Sequence, residues 1–404
     1  MERKQSDERW GGVGRADARD SIGLIVASVA VVVTLALSIY LSWENAAQLD
    51  VLADWLVVQA AWDPSVSVGA PLGELAQRYQ LDYQPVLDPA QVSHPRTPGA
   101  LLLMSPLALV PSTAVPIFWG GLSAVLLSLL VLGGGRLVGW SWGQGGIALL
   151  VVAISPSALA SLAFGTQSVL LAVLLAVSPL LVLSRREALG GALLGGAITL
   201  KLFPLLLLPA FFRFPRALVY CAVTVLLLSG LGWLLPGVSL IDSARGIAAA
   251  PEVWFSLPHN GSMAAILSHS LGLSRVIATA AGAAFAFVAL VVLMSRISSA
   301  DPHRILLVYF GLIPVALLTM PNSWLHYDLA LVPAAFFLAR GFGRTTWIGY
   351  GLLVLAVLGF GSVLAGLPMS WVSVLSRLSL LVWFGFRISG YGEDMRSEIK
   401  VMRS

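Results

Sequence analysis

Two carboxylates, Asp50 and Asp54, stand four residues apart in the stretch QLDVLADWLVVQAAWDP, residues 48–64, directly after the first long apolar run of the chain. On a helix over 51–62, Val51, Trp55, Val58 and Trp62 share one side, and Asp50 and Asp54 stack on another. Such a segment lies along a membrane surface with its tryptophans at headgroup depth. Asp54 then sits at the boundary between water and lipid. A carboxylate there can act as a general base toward a hydroxyl nucleophile, or it can be a solvated charge or a cap at the start of a surface helix.

Further polar residues gather at the edges of apolar runs. Arg78, Tyr83, His94 and Arg96 precede one such run and supply cations, hydrogen-bond donors and aromatic faces suited to a sugar or a phosphate. Pro95 and Pro98 fix the entry of the next helix, and His94 fits a plain interfacial residue as well. Lys201, in GGALLGGAITLKLFPLLLLP, is the one lysine in a long apolar segment. A charge at membrane depth faces the bundle interior and marks function, unless it snorkels to an interface beside a helix break at Pro204. The paired glycines upstream predict close helix packing rather than a phosphate loop. Gln167 opens a helix in FGTQSVLLAVLLAV, His259 and Asn260 lie in SLPHNGSMAAIL, and Asn322, Trp324, His326, Tyr327 and Asp328 crowd the start of LTMPNSWLHYDLALVP.

The elements that carry these residues follow from composition. Of 404 residues, 58% are hydrophobic and 11% charged, against about 25% charged in soluble domains. The chain therefore reads as an all-α polytopic membrane protein. Apolar runs start near Ser21, Ser112, Gly145, Gln167, Leu189, Ala217, Ser274, Arg304, Leu325, Thr345 and Trp371, with a shorter one at Gly99. Each crossing needs about 20 residues, which predicts roughly 10–12 spans in one bundle. The first run follows a polar, arginine-rich tail and reads as a retained helix rather than a signal peptide. One cysteine, Cys221, excludes a disulfide framework, and nothing points to nucleic acid.

The positive-inside rule sets the expected topology. Residues 1–20 form a cytoplasmic basic tail, 21–390 a single transmembrane catalytic domain, and 391–404 a second cytoplasmic tail. Outer loops fall at about 42–97 and 236–262, with juxtamembrane helices on the outer face. The run Gly99–Val110 leaves two choices. As a crossing it sets Arg185 and Arg186 outside, and as a re-entrant segment it sets them inside.

Taken together, Asp54 after the first helix, HPRTPGALLLMSPLALVP, FGTQSVLLAVLLAV, LGGALLGGAITLKLFPLLLLPAFFRFPRAL, NGSMAAIL and WLHYDLALVPAAFF stand in the order and approximate spacing of glycosyltransferase family 87. The chain resembles that family over most of residues 20–340. The family has a glycosyltransferase-C-type helix bundle and includes mycobacterial phosphatidylinositol-mannoside mannosyltransferases and related arabinofuranosyltransferases. The likeness implies a plasma-membrane enzyme that takes a sugar from a polyprenyl phosphate and transfers it, with inversion, to a glycolipid hydroxyl on the outer face. It implies an aspartate of the first outer loop as catalytic base, which maps onto Asp54, and a catalytic histidine in the WLHYD segment, which maps onto His326.

On that reading, Lys201, Arg78 and Arg96 bind the donor phosphate. His94, Tyr83, Gln167, His259, Asn260, Asn322 and Trp324 bind substrate. No cofactor and no metal are expected. Where members of the family often carry a tyrosine or histidine followed by two prolines, this chain has His94-Pro95-Arg96, and Thr166 separates the glycine and glutamine of the GTQ stretch. Mannose is the favoured sugar because the phosphatidylinositol-mannoside enzymes have this length. The alternatives are arabinofuranose from decaprenyl-phosphate-arabinose and, in another class, a lipid or solute transporter.

Overall fold

Short polar caps decide where many of the helices begin. In the computed structural model, residues 3–84, 96–137, 139–239, 260–295, 302–320, 322–339 and 370–384 are described, with a few isolated positions besides. His94, His259 and the apolar run from Thr345 lie outside the described residues. The first helices are α1 (Arg3–Glu44), α2 (Asp50–Trp62), α3 (Leu72–Arg78) and α4 (Pro98–Met104). Then come α5 (Val115–Leu137), α6 (Trp142–Ala153), α7 (Pro156–Ala163), α8 (Ser168–Leu183), α9 (Glu187–Leu200) and α10 (Pro215–Gly232). The last are α11 (Met263–Leu271), α12 (Arg275–Met294), α13 (Pro302–Thr319), α14 (Val332–Ala339) and α15 (Ser370–Phe384). The Thr97 hydroxyl accepts from the Ala100 amide to open α4, with Pro98 in the first turn. Ser141 and Gln144 close a capping box on α6, and Ser155, Ser262 and Ser274 cap α7, α11 and α12.

Among the described residues, four helices are long and apolar enough to cross a membrane: Asp20–Glu44, Ser112–Leu137, Pro215–Gly232 and Arg275–Met294. The α6–α7 pair, bent by 65°, passes the same test only when taken together, and six shorter apolar helices accompany them. The expected apolar runs that fall among the described residues thus emerge as helices, several of them too short to cross the full slab alone.

The run after Gly99 is the shortest. α4 and the 3-10 turn that follows it, Ser105–Leu109, together cover Pro98–Leu109. Twelve residues at helical rise reach about 18 Å, against a hydrocarbon core of about 30 Å. Arg96, at its start, contacts Asp54, and the Val110 carbonyl, at its end, accepts from Trp55 Nε1 at 2.9 Å. Entry and exit thus meet adjacent residues of α2, which fits the re-entrant reading of this segment.

α2 differs from its expected place. Val51 to Val58, Ala60 and Ala61 are all buried, so the helix is packed inside the bundle rather than laid along a surface. The reason is on the other side of the contact. Trp55, Gln59 and Trp62 donate to Val110 O, Ala108 O and Ser105 Oγ, which satisfies the polar groups of the re-entrant segment. Asp54 is 1% exposed, so it is neither a solvated charge nor a helix cap.

The paired glycines act as close-packing positions. A methyl on Gly190 would meet Ser178 O and Val182 of α8. One on Gly191 would overlap the Ala217 backbone of α10, and one on Gly195 would press on Cys221 O. α9 is thereby held between α8 and α10. The two ends of the bundle differ in charge pattern. Arg136, Arg185, Arg186, Arg213, Arg216 and Arg304 lie at the turns of one end, whereas Asp50, Asp54 and Asp63 lie at the other together with Arg78 and Arg96.

Gly191→Val should therefore lower the melting temperature of the detergent-solubilised protein, at a cost of about 1–3 kcal/mol from overpacking. Gly196→Ala, whose added carbon meets nothing within 4 Å, should leave it unchanged or raise it by up to about 1 kcal/mol. A Gly191→Val protein as stable as the parent would contradict the close α9–α10 contact.

Candidate functional site

Asp54 is the centre of a buried polar cluster at the less basic end of the bundle. Arg96 Nε donates to Asp54 Oδ1 at 2.6 Å, and Gln167 Nε2 donates to Asp54 Oδ2 at 2.8 Å. Arg96 engages the carboxylate through Nε alone, so the two terminal nitrogens of the guanidinium are not used in this pair. Burial opposes the charge of Arg96, but the carboxylate of Asp54 outweighs it and raises the guanidinium above its ordinary value. Tyr83 is also raised, first by burial and then by the charges of Asp50 and Asp54, so its hydroxyl remains a proton-bearing donor.

The sequence around Gln167 explains its aim. Gly165 takes a left-handed turn, φ +62°, beside the side chains of Leu49 and Val51. The Thr166 hydroxyl bridges Ser161 Oγ at 2.9 Å and Ser168 Oγ at 3.0 Å, a buried chain that fixes the entry of α8. Gln167 Nε2 also lies 2.8 Å from Met104 Sδ. Its Oε1 is buried without a hydrogen-bond partner. An orphaned acceptor costs about 1–3 kcal/mol, which an incoming hydroxyl would offset.

Lys201 stands where α9 ends. Its backbone is extended, and a 3-10 helix, Phe203–Phe211, starts beyond it with Pro204 in the first turn. This is the helix break that the proline suggests. The neighbouring Thr199 carbonyl accepts from Thr97 Oγ1 at 2.8 Å, which ties the strand of chain carrying Arg96 to the one carrying Lys201. Lys201 Nζ lies 5.4 Å from the centre of the Tyr327 ring. Among the described residues it has no carboxylate partner.

Tyr327 belongs to the 3-10 helix Leu325–Leu331, which leads into α14. His326 packs edge-on against Tyr327 at 4.5 Å and stacks with Trp324 at 6.5 Å. The charges of Lys201 and Arg377 both act on His326, and Tyr327 acts on Arg96. Asp54, Arg96, Gln167, Lys201, Trp324, His326 and Tyr83 thus converge on one region from α2, the chain after α3, the segment entering α4, the start of α8, the end of α9 and the entry to α14.

Three expected site residues are held elsewhere. Arg78 pairs with Asp63 at 2.9 Å on the exposed far end of α2, and hydrogen bonds from Ser65 and Arg78 hold the Asp63 carboxyl down at about 2. Asn260 is buried, and its Oδ1 accepts from the backbone amides of Ser262 and Ser323, each at 3.0 Å. It joins two segments as a clamp. Asn322 is half-buried next to that clamp, with its Oδ1 unpartnered.

Arg377 is the residue the sequence reading passed over. It is fully buried and pairs with Asp328 at 2.7 Å, both partners at 0% exposure. The signal was present, because an arginine inside the apolar run WVSVLSRLSLLVWF marks a paired or functional charge. Among the described residues, no group of three His, Cys, Asp or Glu side chains comes together.

A family profile described as glycosyltransferase family 87 matches residues 97–321. The match takes in Gln167, Lys201 and Asn260, while Asp54, Arg96 and His326 flank it. No curated protein and no solved structure matches the chain.

Removing one partner of a buried ion pair costs about 3–5 kcal/mol because the other charge is stranded. Arg96→Ala should therefore lower unfolding stability by that order, and Asp54→Asn in the same chain should recover part of the loss. Strict additivity of the two changes in a thermal-unfolding cycle would contradict the pairing.

Proposed function

The chain belongs to glycosyltransferase family 87, and we propose that it moves mannose from polyprenyl-phosphate-mannose to a hydroxyl of a membrane glycolipid. The protein is a membrane glycosyltransferase. The observation that carries the finer reading is the meeting of a buried carboxylate with a set of cations at one end of an apolar bundle. The setting is a plasma membrane crossed many times, with the arginine-rich turns and both chain termini in the cytoplasm and the site on the outer face. Six arginines at the turns of the opposite end support that orientation.

The reaction is a single displacement with inversion. The acceptor oxygen attacks the anomeric carbon on the side opposite the phosphate, and a new C–O bond forms there. The bond between that carbon and the phosphate oxygen breaks, and its electron pair stays on the phosphate. The acceptor proton passes to Asp54, a step worth about 10²–10⁴ in rate for a well-placed base.

The phosphodiester donor carries one negative charge and the released monoester two. Lys201, which has no carboxylate of its own among the described residues, and the terminal nitrogens of Arg96, which its pair with Asp54 does not use, meet that growing charge. His326 sits beside Lys201 and contributes a donor to the same oxygens. Trp324 offers a face for the sugar ring, and Gln167 Oε1 accepts from the acceptor hydroxyl or its neighbour. Asp54 lies under Arg96 and Gln167, so acceptor entry displaces one of these two donors.

Purified protein in liposomes should transfer mannose from polyprenyl-phosphate-mannose to a phosphatidylinositol-mannoside acceptor. Lys201→Met should raise the donor KM and lower kcat, together at least 10-fold, and Lys201→Arg should restore much of both. Transfer from decaprenyl-phosphate-arabinose instead would move the sugar assignment to arabinofuranose. Unimpaired donor use by Lys201→Met would remove Lys201 from phosphate binding.

A further inference from the structure

The proposed transfer makes no use of Arg377, although a guanidinium buried in α15 is among the most demanding groups in the chain to accommodate. Its hydrogen bonds reach four residues on three segments. Nε donates to Asp328 Oδ1 at 2.7 Å, Nη1 to the carbonyls of Gly261 at 2.7 Å and Leu317 at 3.3 Å, and Nη2 to the Trp324 carbonyl at 3.3 Å. Gly261 precedes α11, Leu317 lies near the end of α13, and Trp324 and Asp328 stand on either side of His326.

The same loop is held from its other flank. Asn260 Oδ1 takes the Ser323 amide, and the Gly261 amide donates back to the Ser323 carbonyl at 2.6 Å. Gly261 is also packed against α15, where an added methyl would press on Ser373 and the Ser370 carbonyl. The chain from Ser323 to Asp328 is therefore fastened just before the Trp324–His326 pair by Asn260 and Gly261, while Arg377 holds it on either side of His326, at the Trp324 carbonyl and at Asp328.

We infer that Arg377 is a positioning residue for the glycosyl transfer, holding the Trp324 and His326 rings at a fixed place against Lys201 and the sugar-phosphate donor. This rests on the functional reading above. The geometry fits arginine specifically. A planar fork reaches a carboxylate and several carbonyls at once, which the single ammonium of a lysine does not. Stability alone is a poor reason for the pair, because a buried ion pair is often replaced by apolar residues without loss. A held loop, by contrast, matters to rate, since a displacement of about 1 Å at a reacting group can cost about 10²-fold.

The test is a double-mutant cycle of Arg377→Lys with His326→Ala, at equal amounts of folded protein. Mannose transfer is read together with hydrogen exchange over residues 322–328. Arg377→Lys should lower kcat about 10²-fold with a much smaller change in donor KM, and it should add little to the loss already caused by His326→Ala. Exchange over 322–328 should quicken while α9 and α10 stay protected. Losses that multiply in the double variant, or exchange that is unaltered, would overturn the inference. Should Arg377→Lys fail to fold, Asn260→Ala releases the other flank of the loop and is read in the same way with the same expectation. If the wild-type chain transfers no sugar, the functional reading falls, and the exchange data alone decide whether Arg377 holds the loop.

Discussion

A charge inside a bundle of apolar helices is costly unless it stands beside an opposite charge, and this constraint organises the chain. Among the described residues, two buried carboxylate–guanidinium pairs meet it, Asp54 with Arg96 and Asp328 with Arg377. The first pins the re-entrant segment to α2. The second draws α15 onto the entry to α14 and the approach to α11. Between them lies Lys201, with an aromatic ring for company and no described carboxylate partner. Pairing neutralises the two arginines locally, which leaves Lys201 as the candidate to meet a phosphate.

The remainder of the fold serves to bring these groups to one end. Glycines 190, 191 and 195 let α9 approach both neighbours closely, and α9 then stops at Lys201 because the chain turns extended ahead of Pro204. The turn at Gly165 delivers Gln167 to Oδ2 of Asp54. α4 with its 3-10 turn is too short to leave the far side, so Arg96 and Val110 both end beside α2. Short and broken helices, which would be a weakness in a simple anchor, supply here the backbone ends on which polar side chains can be mounted.

Much of this was legible from residue types. The apolar runs predict the helices, the paired glycines predict close packing, and the Lys201–Pro204 spacing predicts a break. Asp54, Arg96, Gln167, Lys201, Trp324 and His326 stand out as polar residues at the edges of apolar runs, and they come together. What periodicity could not carry was depth. The tryptophan and aspartate pattern of α2 fits a surface helix, yet the re-entrant segment covers it, because hydrogen bonds from Trp55, Gln59 and Trp62 satisfy carbonyls and a hydroxyl far along the chain. Arg78 and Asn260 share the chemistry of the site residues but are taken by Asp63 and by backbone amides, which only the tertiary contacts decide. Arg377 went unread because its run looked like one more apolar helix, although its charge alone was a reason to look for a partner.

The central claim is that Asp54 accepts the proton of the acceptor hydroxyl. Asn at this position keeps the shape and one acceptor oxygen but loses the basicity. The most direct measurement compares wild-type protein with Asp54→Asn in liposomes, reading mannose transfer and, separately, binding of polyprenyl phosphate. The account predicts loss of transfer by about 10²-fold or more with polyprenyl phosphate still bound. Undiminished transfer by Asp54→Asn would contradict it.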